Sequence, residues 1–139
     1  MAIWQQTFYI DVGDKEVKKN DIFSALDKFL KRDWCGDELQ CWGEPSSNDI
    51  LVTWDKETEK IDENIRVRVD VGNIQMDFIQ WTIDFVKRNG FKLKTKKEEF
   101  IEADLSEIAK SLAGSNADKF VSDPLKFFDD FQKGIIKSE

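Results

Sequence analysis

Apolar and polar residues alternate at the start of the chain, with Trp4, Phe8, Ile10 and Val12 on one side and Ile3 and Tyr9 on the other. A period of two is that of a strand, so residues 3–12 are read as the first strand, ended by Gly13-Asp14. The period then changes. Ile22, Leu26, Phe29 and Leu30, joined by Phe23, recur at i, i+4, i+7 and i+8, the spacing of one helical face. Asn20 or Asp21 is placed to cap this helix, and Lys31 and Arg32 suit its C-terminal end.

Residues 38–42 and 50–54 read as two short strands joined by the turn chemistry of Gly43-Glu44-Pro45-Ser46-Ser47-Asn48-Asp49, a hairpin. Residues 55–64 are almost wholly polar and read as an exposed loop. Ile65, Val67, Val69 and Val71 alternate with Arg66, Arg68 and Asp70, a half-buried strand with its arginines on the polar face. From Asn73 two periods compete. Ile74, Met76 and Phe78 alternate, but Ile74, Phe78, Trp81 and Phe85 fit one helical face, widened by Ile79, Ile83 and Val86. Asn73 as a cap and Asn89-Gly90 as a stop favour one helix over 74–88. Phe91 and Leu93 give a further strand. Asp104 opens a helix through Leu105, Ile108, Ala109 and Leu112, and Asp123-Pro124 opens another through Leu125, Phe128 and Phe131 to Gly134.

The predicted order is β-α-β-β-β-α-β followed by two short helices. It resembles a split β-α-β, ferredoxin-like core: a mainly antiparallel sheet with helices packed on one face. The expectation is a single α+β domain over residues 1–139, with 104–134 as a C-terminal helical extension packed on it. Such a fold hosts many unrelated functions.

The composition supports a packed core, with 40% apolar residues, 11 Phe and 5 Trp in 139 residues. Histidine is absent, which excludes Ser-His-Asp and Cys-His nucleophilic sites and His-ligated metals within the chain. Cys35 and Cys41 are two soft ligands where a structural zinc site needs four. No metal and no cofactor are therefore expected. The cysteines are expected as free thiols of a reducing compartment, although one local disulfide is within reach of their spacing. No apolar run approaches the ~18 residues of a membrane span, and the N-terminus lacks a signal-peptide pattern. The expected location is the cytoplasm, without membrane association.

The net charge is −7. Residues 1–60 hold 13 acids and 8 bases, and residues 61–139 hold 15 acids and 13 bases, so the deficit lies mainly in the first part. If the loops of residues 43–49 and 55–64 share one end of the sheet, Glu44, Asp49, Asp55, Glu57, Glu59, Asp62 and Glu63 form a negative patch there. Trp42 and Trp54 end the strands that feed these loops and would anchor a partner that the charge steers. Of the five tryptophans, Trp34, Trp42 and Trp54 are the candidates for exposure, since Trp4 and Trp81 follow core periodicity. The reading is a small acidic protein-binding module, an inhibitor of the immunity-protein or antitoxin type acting on a basic partner, and not an enzyme. Its alternatives use other residues. Lys87, Arg88, Lys92, Lys94, Lys96 and Lys97, with Phe91 among them, make a strip for phosphate contact in a nucleic-acid-associated accessory protein. Against that, the chain as a whole is acidic and Glu98 and Glu99 follow the strip at once. Asp70, Asp77 and Asp84 are the carboxylates of a carboxylate-only enzyme, but lie on what reads as a wet face.

Overall fold

The structure is a computed structural model that describes residues 2–137. Its elements run β1 (Gln5–Asp11), α1 (Lys19–Asp27), β2 (Arg32–Gly36), β3 (Leu39–Gly43), β4 (Asp49–Thr53), β5 (Asn64–Asp70), α2 (Met76–Asn89), β6 (Lys92–Thr95), β7 (Phe100–Ile101), α3 (Leu105–Leu112), α4 (Asn116–Ser122) and α5 (Pro124–Gln132). The strands form one antiparallel sheet in the order β2-β3-β4-β5-β1-β6-β7. The α+β class and the antiparallel sheet are as the sequence predicts. The order is not the simple β-α-β-β-β-α-β series, because β2, β7 and α4 join it.

Register builds the core. Phe8 lies opposite Val67, Ile10 opposite Ile65 and Leu93, and Ile50 opposite both Val67 and Trp42. All of these are buried, with Ile22 and Leu26 of α1, Phe78, Ile83 and Phe85 of α2, and Ile108 and Leu112 of α3 in the same cluster. The helices thus meet the sheet on its apolar face, as alternation along β1 and β5 requires. Strand residues of the opposite parity carry Thr7, Tyr9, Asp11, Cys41, Asp49, Arg66, Arg68 and Lys94 to the other face.

α2 resolves the competing periods in favour of a helix, starting at Met76 and ending on Gly90 in the left-handed region at φ 67°. Ile74 stays outside it, and the residue before the helix is Gln75, with no side-chain cap, rather than Asn73. Asn20 and Asp21 likewise fall inside the first turn of α1. The N–H of Lys19 donates to the Glu59 carbonyl at 3.1 Å, so a loop does what a capping side chain would have done. Asp104 and Asp123 do cap α3 and α5, accepting from the N–H groups of Glu107 and Lys126.

Candidate functional site

The nine residues that the sequence groups as a binding surface separate into three places. Trp42 is fully buried. Its Nε1 donates to Asp27 Oδ1 at 2.9 Å, and its ring stands edge-on to Phe23 with centroids 4.7 Å apart. Trp54 is buried against the same Phe23 at 5.3 Å, with the Lys19 ammonium over its ring at 4.9 Å. Both tryptophans are therefore core residues holding α1 to the sheet, and neither faces a partner. Asp49 is fully buried as well. Its Oδ1 accepts from Arg68 Nε at 2.7 Å, its Oδ2 from Arg68 Nη2, and the Cys41 thiol lies 3.4 Å from Oδ2. Asp49 and Arg68 are directly opposite on β4 and β5, so register makes this pair and takes both charges out of any steering field. Arg68 is thus buried and paired, not on the wet face that the alternation of β5 predicts.

The other six residues are exposed, but not at one end. β3, β4 and β5 pair antiparallel in succession, so the 43–49 connection and the 54–63 connection leave from opposite ends of β4. Five strand residues put about 17 Å between them. Glu44 belongs to the first end. That turn is fastened from inside: the Trp4 indole and the Gln5 amide donate to the carbonyls of Ser46, Pro45 and Ser47, and the Asp70 N–H donates to Asn48 Oδ1. Gly43 sits there at φ 93°, where an added Cβ would collide with the Asn48 carbonyl.

Asp55, Glu57, Glu59, Asp62 and Glu63 occupy the second end. A different segment joins them, whose acids Asp37 and Glu38 the sequence shows as part of the acidic run but does not assign to the patch. β2 and β3 turn at Asp37-Glu38, and the Trp54 N–H donates to the Glu38 carbonyl at 3.2 Å. The 36–38 turn and the 55–63 loop are therefore neighbours, and Asp37 and Glu38 are exposed beside the five acids. The loop is ordered by its own bonds. Asp55 Oδ1 accepts from the N–H groups of Glu57 and Thr58 at 2.9 and 3.0 Å, which lowers its pKa. Ile61 is buried, and its N–H donates to the Val17 carbonyl. Lys56 and Lys60 lie among the acids, and Lys19 reaches Glu59 at 3.7 Å.

Trp34 is on β2 close to this turn and is 43% exposed, the only exposed tryptophan among the described residues. Every residue of β2 is exposed and the strand forms one edge of the sheet. This edge carries no period-two signal because neither of its faces is buried, which is why the sequence pattern does not show it.

The basic strip divides among three elements. Lys87 and Arg88 end α2, Lys92 and Lys94 are on β6, and Lys96 and Lys97 follow it. Lys94 is buried and paired with Asp11 at 3.4 Å, and Lys92 lies over the Phe100 ring at 5.3 Å. Of the three spaced carboxylates, Asp77 and Asp84 are exposed on α2, while Asp70 accepts from the Gly72 and Asn73 N–H groups and the Ser47 hydroxyl. Among the described residues no group of three or more Cys, Asp or Glu is placed to hold a metal ion, and no helix is long and apolar enough to cross a membrane. Both cysteines are free, Cys35 exposed and Cys41 buried.

No protein-family model, curated protein or solved structure matches the chain.

Proposed function

We propose that the protein is a small acidic binding module that captures a basic protein, in the manner of an inhibitor of the immunity-protein or antitoxin type. One observation carries this reading: the 36–38 turn and the 55–63 loop meet at one end of the sheet, beside the exposed Trp34. Seven exposed carboxylates there outnumber the four lysines beside them, Lys18, Lys19, Lys56 and Lys60, which favours an incoming cationic surface. Trp34 supplies the aromatic anchor that charge alone lacks. The loop is pre-ordered by the Asp55 turn and by Ile61, so little conformational freedom is lost on binding. The proposed site is therefore Trp34, Asp37, Glu38, Asp55, Glu57, Glu59, Asp62 and Glu63.

The test compares wild type with Trp34→Ala and with the triple variant Glu57→Lys, Glu59→Lys, Glu63→Lys. A basic protein captured by immobilised wild type from a host extract is identified, purified and studied kinetically at rising salt. The triple variant should associate at least about tenfold more slowly at low salt and lose most of the salt dependence. Trp34→Ala should raise the dissociation rate instead, as loss of an anchor does. If both variants bind the captured protein as wild type does, the interface is not at this end of the sheet.

A further inference from the structure

Two polar atoms of β5 are buried without a partner. Asn64 Oδ1 and Arg66 Nε are shut off from solvent, and neither has a hydrogen-bond partner among the described residues. Buried polar atoms are nearly always satisfied, so such orphans call for an explanation. β5 pairs with β1 without a break in register. Alternation therefore turns Ile65 and Val67 into the core and Asn64 and Arg66 together to the opposite face, about 7 Å apart along the strand. One orphan is an acceptor and the other a charged donor. Two other bases of that face have acids: Arg68 is paired with Asp49, and Lys94 with Asp11. Arg66 has no such partner among the described residues. We infer that this face holds a site for a zwitterionic α-amino acid with an apolar side chain, its carboxylate on Arg66 and its ammonium on Asn64 Oδ1.

Each part of that ligand answers a residue of the face. A guanidinium takes a carboxylate through two parallel bonds, one of them from Nε, the donor left over here. Burial, and then the Arg68 charge, lower the Arg66 pKa, so an anion beside it relieves a cation that the fold leaves uncompensated. Asn64 lies directly opposite Asp11, which sets a carboxylate beside the orphan acceptor and favours an ammonium there over a hydroxyl. A phosphate dianion would meet one unpaired guanidinium and two nearby carboxylates, Asp49 and Asp11. A chain of net charge −7 repels such an ion, whereas a zwitterion carries no net charge. The flanks of Arg66 fit the rest of the molecule. Leu51 of β4 and Tyr9 of β1 lie opposite it on its two sides, and both are half-buried. Their open parts can cover an aliphatic or aromatic side chain, giving the few polar groups in apolar surroundings that small-molecule sites use.

The test is an NMR titration of the isotope-labelled full chain with L-leucine. The Arg66 Nε–H signal and the backbone N–H signals of Tyr9, Leu51 and Asn64 should shift saturably. Isocaproate, which lacks the ammonium, and leucinamide, which lacks the carboxylate, should each need at least about tenfold higher concentration for the same shift, because each loses a charged hydrogen bond. Arg66→Met should abolish the response. Arg66→Lys keeps the charge but not the two-bond geometry, so it should weaken the response about tenfold while leaving the rest of the spectrum in place. No saturable shift at these residues overturns the inference, as does an Arg66→Lys protein that responds as wild type does. Equal shifts with leucine and isocaproate would make this a general anion site and overturn the zwitterion. An Arg66 Nε–H that exchanges magnetisation with a bound water and ignores leucine assigns the orphans to that water and overturns the site. None of these residues belongs to the acidic end, so the two proposals fail or stand separately.

Discussion

At the scale of single residues, burial decides which of two chemically identical groups can react. Cys41 is fully buried beside Asp49, and its thiol is pushed up to about 12, first by burial and then by the neighbouring carboxylate. The thiolate is the nucleophile, so Cys41 is inert at neutral pH on both counts. Cys35 lies on the exposed edge strand. We expect one thiol to react promptly with a disulfide reagent in the folded protein, and a second only in denaturant, in freshly isolated unreduced material. Two prompt thiols would place Cys41 at the surface, and none after denaturation would mean a disulfide. The tryptophans follow the same logic. Trp34, Trp42 and Trp54 all have acids within two residues in the sequence, yet only Trp34 is open. The difference lies in Phe23, which meets both Trp42 and Trp54 edge-on. No local pattern records that contact.

At the scale of elements, Asp27 ties the end of α1 to two strands. It accepts two bonds from Arg32 of β2 at 2.8 Å and one from the Trp42 indole of β3. The Arg32 bonds, and then the Trp42 bond, lower its pKa from 3.8 to about 2. A depressed carboxylate contributes stability above its unfolded pKa and loses it as pH falls through the folded value. Asp27→Asn should therefore be less stable than wild type at neutral pH, with the gap closing between about pH 4 and pH 2. The side chain is 42% exposed, so the gap should be about 1 kcal/mol or less. Urea unfolding of both proteins across that range measures it, and a gap constant with pH would remove the carboxylate from the account. The helix–sheet core gives a larger number. Phe29, Trp81 and Phe85 form a stack with centroids 4.5 and 4.9 Å apart, but only Phe85 is fully buried. Phe85→Ala should cost about 3–5 kcal/mol, and Phe29→Ala distinctly less because part of its ring is already in water. Equal losses in denaturant titration would contradict the half-buried placement of Phe29. Elements with one buried face, β1, β5 and α2, were legible in the sequence because burial imposes a period. β2, β7 and α4 were not: an edge strand exposed on both faces, a strand of two residues and a helix of seven residues give no period to read.

At the scale of the whole molecule, topology decides which loops can act together. An antiparallel meander sends successive turns to alternate ends, so pairing of β3, β4 and β5 separates residues 43–49 from residues 55–63 whatever their charge. The acidic run between Asp37 and Glu63 was visible as composition, but which of its members share a surface depends on pairings that composition does not specify. The same pairings bring in Asp37 and Glu38 and bury Asp49. A comparison of the two ends follows. Glu44→Lys removes an exposed acid from the far end and changes the net charge by two. Glu57→Lys changes it by the same amount within the proposed surface. A partner steered by overall charge alone would lose association rate equally in both variants. A partner docking on the 36–38 and 55–63 end should be slowed severalfold by Glu57→Lys and barely by Glu44→Lys, since screening weakens a charge lying beyond a Debye length of about 8–10 Å. Both variants should unfold within about 0.5 kcal/mol of wild type, because each replaces a solvated side chain. Stopped-flow association at low and at physiological salt distinguishes the cases, and equal slowing by the two substitutions would reduce the acidic end to one part of a diffuse negative field.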